Sequence, residues 1–247
     1  MRFVILLSFV ISCGGSAVLG ARLVLAGMRT RTAPELAYGA SLLLMGIGGV
    51  VRLVVHGFLG AGPEYHAWMI GAAALRLLTL MALTWGIRSI FRARDAWSLP
   101  LTLALWAVGV AGLGVVVSAP GGLAEAGVRY QLGDLANALA VAWGCAESLA
   151  YYGKMKRRLL LGLADPVTVH RFGMWGLGFS GALASSLILL LGTAALGGAI
   201  TDAPAVMAAV QFFLLLTTGA TWFAFYPPQF LQDRIRNRAP AGTADPG

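Results

Sequence analysis

Long apolar stretches alternate with short polar segments along this chain of 247 residues. Seven of these stretches exceed the about 20 residues that an α-helix needs to cross a bilayer. The pattern predicts an all-α integral membrane protein, a bundle of seven transmembrane helices in one domain over residues 1–236, followed by a disordered tail at 237–247. The predicted helices cover residues 3–27, 34–59, 66–91, 97–118, 130–153, 170–198 and 203–226.

The basic residues fall on one side of these predicted spans. Of the 18 Lys and Arg residues, all except Arg2, Arg52, Arg76 and Arg129 lie in or beside every second loop or in the C-terminal segment, which makes 14. Cytoplasmic loops retain Lys and Arg, whereas translocated loops lose them. We therefore expect a multi-pass protein of a bacterial inner (cytoplasmic) membrane, with its N-terminus outside and its C-terminus in the cytoplasm.

The composition favours the membrane as the first partner of this chain. Hydrophobic residues make up 58% of it and charged residues 11%, against about 25% charged in soluble domains. The net charge of +8 comes from bases that are spread over several loops, where they act as topology signals and face an anionic leaflet. We therefore exclude nucleic-acid binding.

Five polar side chains lie in the outer half of the predicted spans, where ionisable groups are costly. Counting about 1.5 Å per residue puts Arg52 about 10 Å and Arg76 about 15 Å below the outer surface. Asp134, Asn137 and Gln211 fall in the same layer. Because five polar groups on four helices cannot all face lipid, we expect them to line an outward-opening polar cavity that has Arg76 at its floor.

Apolar walls for this cavity are expected from Trp106, Trp143, Phe212 and Phe213. Two buried arginines against the single carboxylate of Asp134 leave an excess of positive charge, which favours water or an anionic ligand. The alternative is a structural network, in which Asp134 neutralises one arginine and the amides cap the other.

A second group of charged residues is predicted toward the cytoplasm. Glu147 lies about 25 Å from the outer surface, and Arg22, Arg88 and Arg171 reach a similar depth. We expect a structural ion pair that holds helices together. A gating latch that responds to a ligand above it is the sharper alternative.

The sequence gives no indication of an enzyme. His56, His66 and His170 are divided between the two membrane faces, so they predict neither a metal site, nor a haem pair, nor the base of a nucleophilic triad. Cys13 and Cys145 lie in apolar spans without the spacing of a disulfide or metal motif. We therefore expect no catalytic residue, metal, haem or other cofactor.

Seven helices with an outside N-terminus resemble the arrangement of microbial rhodopsins and G-protein-coupled receptors. A retinal protein needs a lysine in its seventh helix, and residues 203–226 contain none, which excludes a covalent retinal. The segments Leu161–Pro166 and Arg171–Gly176, with Arg31–Leu36 and Phe225–Pro228, resemble a family of uncharacterised bacterial seven-helix proteins. That resemblance covers most of the chain and implies the seven-helix fold, but it implies no activity and no functional residue.

These observations predict a receptor-like or sensory protein. A small ligand, anionic or amphipathic and lipid-like, would enter from outside, and helix movement would be read by a cytoplasmic protein partner at the Lys154–Arg158 loop. The alternative is a small-solute or lipid transporter that uses the same cavity. A third possibility is a structural or assembly subunit of a membrane complex, in which the polar network only joins helices.

Overall fold

The computed structural model of the chain describes residues 2–58, 63–118, 131–196 and 203–237. For residues 2–5, 52, 53, 55–58, 63 and 196 it describes the backbone only. Eight α-helices make up these ranges and are numbered α1 to α8 in chain order. They are α1 Arg2–Thr30, α2 Ala33–Phe58, α3 Pro63–Phe91, α4 Ser98–Ser118, α5 Leu132–Leu160, α6 Pro166–Leu196, α7 Pro204–Phe225 and α8 Gln229–Asn237.

Six of these helices, α1 to α4, α6 and α7, are long and apolar enough to cross a membrane. The all-α, multi-pass membrane class that the hydropathy pattern predicts is therefore confirmed. The fifth predicted span corresponds to α5, which has 29 residues. It is not among the six because Asp134, Asn137 and Glu147 interrupt its apolar sequence.

The helices pack in a ring that follows the order of the chain. Each of α1 to α7 contacts the next, α7 returns to α1, and α3 also contacts α5 across the bundle. Successive helices run in opposite directions, so α3 and α5 run the same way. Four small residues of α5 are buried in the bundle, Ala136, Ala138, Ala140 and Gly144, and small residues let neighbouring backbones approach closely.

The helices at one end of the bundle extend further than the apolar pattern predicts. The bases from Lys154 to Arg158, predicted to lie in a loop, instead form the last turns of α5. Lys and Arg are good helix formers, and their charge is favourable at a helix C-terminus. The expected basic C-terminal segment likewise contains α8, which ends at Asn237. The rest of the tail predicted to be disordered, residues 238–247, lies outside the described ranges.

The turn between α5 and α6 is closed by hydrogen bonds from both sides. Gly162 has a φ of 70°, and its amide and the next one donate to the carbonyls of Leu159 and Arg158 at 3.0 and 2.8 Å. These are the two bonds of a Schellman motif. On the other side, the Asp165 carboxylate accepts hydrogen bonds from the amide and the hydroxyl of Thr168 at 2.9 and 2.8 Å, and so caps α6.

This cap predicts a pH-dependent contribution to stability. Burial opposes the charge of Asp165, but hydrogen bonds from Thr168 and Val167 and the charge of Arg236 outweigh it and hold the pKa of the carboxyl below its usual 3.8. A lowered folded-state pKa gives stability that is present above the unfolded-state pKa and is lost as the pH falls through the folded-state value. Asp165→Ala should therefore lower the free energy of unfolding by about 1 kcal/mol at neutral pH. Unfolding in micelles as a function of pH measures this difference.

The control for this prediction is Asp165→Asn, which keeps a good capping side chain but removes the charge. We expect it to remain close to the wild type in stability and to lose the acid-dependent component. A difference between Asp165→Ala and the wild type that stays constant below pH 3.8 would contradict the assignment.

The α1–α2 interface depends on a glycine that allows direct backbone contact. A Cβ at Gly20 would overlap the backbone of Leu43 and would lie 2.7 Å from the carbonyl oxygen of Gly39. Gly14, on the same helix, has no atom within 4 Å of the place a Cβ would take. Gly20→Ala should therefore cost about 1–3 kcal/mol of stability, whereas Gly14→Ala should be neutral or slightly stabilising. Equal unfolding temperatures for the two variants would show that this contact does not limit packing.

Aromatic side chains fill the bundle toward the end that carries the basic residues. Aromatic rings near the ends of membrane spans are generally found at the interface, but Tyr38 is only 6% exposed. Its ring stacks on Trp175 at 5.5 Å between centroids and lies 5.8 Å from the ring of Phe225. Trp97 and Tyr226, toward the same end, are exposed. Tyr38 is therefore part of an aromatic core and not of the surface.

Candidate functional site

Arg76 and Asp134 form an ion pair that joins α3 to α5. Their side chains are 20% and 36% exposed. Asp134 lies in the first turn of α5, where the helix dipole stabilises a carboxylate, and Arg76 lies within the apolar sequence of α3. The structure therefore brings together two of the five polar residues that depth counting placed in one layer.

Three glycines shape the surroundings of this pair. The Arg76 guanidinium lies over Gly133, where a Cβ would be 3.5 Å from its Cζ atom. A Cβ at Gly112 would lie only 2.7 Å from the Gly133 amide nitrogen, so α4 and α5 approach closely at this point. The result is a narrow cleft against the guanidinium. Its walls are Ala73, Arg76, Leu77, Leu80, Gly109, Gly112, Leu113 and Gly133.

The size of the cleft limits what it can hold without helix movement. Its volume is about 10 Å³, which is about the space that one water molecule needs. A group no larger than a water or one carboxylate oxygen fits beside Arg76. A larger or amphipathic ligand would require α4 or α5 to move, or the Asp134 carboxylate to leave.

The remaining polar residues of the predicted cavity are placed differently from this pair. Asn137 is half-buried one turn along α5 from Asp134, and it makes no hydrogen bond to another described residue. Gln211 is 3% exposed, its Oε1 atom has no partner among the described groups, and it is not part of the cleft. Its helix, α7, packs on α6 and α1. The side chain of Arg52 lies outside the description, although its backbone belongs to α2.

The aromatic residues predicted to form the cavity walls are spread over the bundle. Trp106 donates its indole N–H to the Thr84 hydroxyl of α3 at 2.8 Å, two turns of α3 beyond Arg76. Trp143 contacts Glu147 instead. Phe212 is 63% exposed on the outer surface of α7. Of the side chains that line the cleft, none is aromatic.

The second charged group is an ion pair between Arg92 and Glu147. Arg92 Nε donates to Glu147 Oε1 at 2.8 Å and Nη1 donates to Asp95 Oδ2 at 2.8 Å. The Glu147 side chain is only 11% exposed, and the Trp143 indole N–H also reaches its Oε1 atom, at 3.3 Å. These contacts join the turn after α3 to the middle of α5. The hydrogen bonds that Arg92 donates to the carboxylates of Glu147 and Asp95 raise the pKa of its guanidinium above its ordinary value.

The partner predicted for Glu147 is thus corrected: within the described ranges it pairs with Arg92, not with Arg22, Arg88 or Arg171. Arg88 lies over the Trp85 ring, 5.1 Å from its centroid. Arg22 lies against Trp222 and Tyr226, and Arg171 is exposed. Arg92 lies in the connection after α3, as predicted. The chain folds back there, and the Ser98 hydroxyl donates a hydrogen bond to the Arg92 carbonyl at 2.9 Å. This turn directs the guanidinium toward α5.

Sequence reasoning missed Arg92, Thr84 and the three glycines of the cleft as members of these two groups. The Arg92-Ala93-Arg94-Asp95 spacing, an i, i+3 pair of opposite charge directly after a helix, was the signal available for the first. Glycines in membrane spans generally allow close helix packing, and at Gly112 the structure shows such a contact. Nothing in the sequence shows that Gly133 would face a guanidinium.

The described ranges contain no group of three or more His, Cys, Asp and Glu side chains that could hold a metal ion. His66 and His170 lie on different helices, and the side chain of His56 is outside the description. Cys13 and Cys145 are free thiols. Comparison with protein-family models, with curated proteins and with solved structures finds no match for this chain. The resemblance to a bacterial seven-helix family stays a prediction.

Proposed function

We propose that the protein is a seven-span membrane sensor that binds a small anion at the Arg76–Asp134 pair. The observation that carries this proposal is an ion pair inside an apolar bundle that remains partly exposed, at 20% and 36%, beside a cleft. A purely structural pair gains most when it is fully enclosed and hydrogen-bonded. Here the carboxylate and a soluble anion can compete for the same guanidinium.

In this proposal α5 also crosses the membrane, which brings the number of spans from six to seven. The N-terminus lies outside, and the membrane is a bacterial inner membrane. α5 has the length of its neighbours and packs between α4 and α6. Its carboxylate Asp134 pairs with Arg76 of α3, and its carboxylate Glu147 pairs with Arg92 in the turn after α3. The bases at the ends of α1, α3 and α5 and those of α8 share one end of the bundle, which by the charge rule faces the cytoplasm.

The two ion pairs lie at opposite ends of the α3–α5 contact, which provides a route for a signal. An anion that takes the place of Asp134 on Arg76 frees the first turn of α5. Helix shifts of about 1–2 Å are typical of such transitions. The Arg92–Glu147 pair, at the other end of the contact between these helices, would register the shift. The basic end of α5, Lys154–Arg158, is then the surface on which a cytoplasmic partner reads it.

Formate is the appropriate probe, because it is the smallest soluble equivalent of the Asp134 carboxylate. The full chain is purified into nanodiscs, and its unfolding temperature is measured against formate concentration with sodium and ionic strength held constant. We expect a saturable increase in the wild type and none in Arg76→Gln. Absence of a saturable effect in the wild type would contradict the proposal.

Liposome flux separates this function from the two alternatives. A transporter would carry formate across vesicles containing the wild-type protein and lose that flux with Arg76→Gln, whereas a sensor binds formate without flux. A structural subunit would show neither binding nor flux and would copurify with a stable membrane partner.

A further inference from the structure

Arg22 lies on the face of α1 that is turned away from the bundle. Val18 and Leu25, at i−4 and i+3 from it, are 54% and 51% exposed, and Arg22 is exposed as well. Residues at these spacings share one helix face. Since α1 is one of the six helices that are long and apolar enough to cross a membrane, this stripe faces lipid, and Arg22 places a cation in it.

Two aromatic rings of α7 and its C-terminal end hold the guanidinium in place. The Arg22 Cζ atom is 5.3 Å from the centroid of the Tyr226 ring and 5.9 Å from that of Trp222. The two rings are themselves in contact at 5.8 Å. Trp222 is fixed to α1 because its indole N–H donates to the Gly15 carbonyl at 3.3 Å. Arg22 is therefore built into the seam where α7 closes the ring against α1.

The contacts of the guanidinium with the two rings are cation–π contacts, which give its N–H donors no oxygen or nitrogen acceptor. Arg22 makes no hydrogen bond and no ion pair with any residue in the described part of the chain. A guanidinium carries five N–H donors in a planar fork that matches a phosphate. Leaving such donors unpaired beside hydrocarbon is costly, so the acceptor must come from outside the protein.

The position of Arg22 along the membrane normal identifies that acceptor. Tyr226 directly follows α7 and is 42% exposed, as expected for an aromatic ring at the lipid–water boundary. The guanidinium is level with this ring, within reach of lipid headgroups. The same end of the bundle carries the other basic helix ends, which an anionic leaflet attracts.

We propose that Arg22, together with Tyr226 and Trp222, binds the phosphate of an anionic phospholipid at the α1–α7 seam. The lipid would stabilise the contact between α1 and α7. Its phosphate would neutralise the charge of Arg22, and its acyl chains would cover the exposed apolar stripe of α1. This site is separate from the Arg76 cleft and does not depend on the proposed sensor function.

The test is a lipid titration of the full chain in detergent micelles, followed by native mass spectrometry and thermal unfolding. The probes are short-chain phosphatidylglycerol, phosphatidylcholine of the same chain length, and inorganic phosphate. We expect phosphatidylglycerol to bind saturably and raise the unfolding temperature, and Arg22→Gln to weaken this binding about tenfold. Arg29→Gln, which removes an exposed arginine two turns along the same helix, should retain wild-type binding.

Three results would overturn the proposal: equal binding in Arg22→Gln and wild type, equal losses in Arg22→Gln and Arg29→Gln, or equal stabilisation by inorganic phosphate. A second measurement needs no Arg22 variant and covers the case in which Arg22→Gln fails to fold. The fluorescence of Trp222 is obtained as the difference between the wild type and Trp222→Phe. Brominated phosphatidylglycerol should quench this fluorescence more strongly than brominated phosphatidylcholine does. Equal quenching by the two lipids would also contradict the site.

Discussion

Replacing Arg92 by alanine should lower the free energy of unfolding by about 2–3 kcal/mol, the largest stability loss we expect from a single charged residue here. The change leaves the Glu147 carboxylate, whose side chain is 11% exposed, with only the Trp143 indole as a donor. The value lies below that of a fully buried pair because Arg92 is 32% exposed and partly screened by solvent. Reversible unfolding in mixed micelles measures it.

Two further variants show whether the loss comes from the unpaired carboxylate. Adding Glu147→Gln to Arg92→Ala should recover most of the stability, because an uncharged amide needs no counter-charge. Arg94→Ala is the matched control, since Arg94 is an exposed arginine in the same turn. If Arg92→Ala and Arg94→Ala lose equally little, or if the double variant is no better than Arg92→Ala, the clamp between α3 and α5 is not formed by this pair.

Substitutions of Arg76 and of Asp134 should have opposite effects on anion binding. Arg76→Gln removes the only cation among the described residues that line the cleft and should abolish the formate response. Asp134→Asn removes the competing carboxylate from the same guanidinium and should tighten formate binding about tenfold, the worth of one charge-assisted hydrogen bond. Titrations of the unfolding temperature with formate measure both affinities.

The opposite signs distinguish a binding site from a structural clamp. If the pair only held α3 and α5 together, both variants would lower stability and neither would gain affinity for formate. Gln211→Leu is the control for a buried polar group outside the cleft, and it should leave the formate affinity unchanged. Loss of affinity in Asp134→Asn would contradict the competition between the carboxylate and the anion.

Hydropathy predicted the fold well because the bilayer fixes the length of a span. The ends of the helices were harder to predict, because outside the bilayer that constraint is lost. The residues Lys154–Arg158 continue α5, and a nine-residue α8 follows Pro228. In both cases helix propensity and local hydrogen bonds decide the structure, and polar composition alone does not show them.

Depth counting found the Arg76–Asp134 pair but not the other contacts of the predicted cavity. The rise per residue gives the height of a side chain in a helix and says nothing about the direction in which it points. Gln211 has a suitable height, yet its helix packs on α6 and α1. Trp143 lies on α5 like Asp134 but nine residues further along, beside Glu147.

The predicted partners of Glu147 were wrong because depth counting treats each side chain as a point at its Cα atom. Depth counting gives Arg22 and Arg88 the same height as Glu147, but Arg22 lies against Trp222 and Tyr226, and Arg88 lies over Trp85. The long Arg92 side chain reaches back from the turn after α3 to the carboxylate. Reach and direction of long side chains depend on tertiary packing, which the sequence does not show.

A distance measurement between the turn after α3 and the basic end of α5 tests the proposed sensor most directly. Spin labels are placed at Arg94→Cys and Gly153→Cys, two exposed positions, in a background with Cys13→Ser and Cys145→Ser. We predict that saturating formate shifts the distance between the labels by about 1–2 Å, and that Arg76→Gln abolishes the shift. If formate binds and the distance distribution stays unchanged, the proposal that α5 transmits anion binding at the Arg76–Asp134 pair is contradicted.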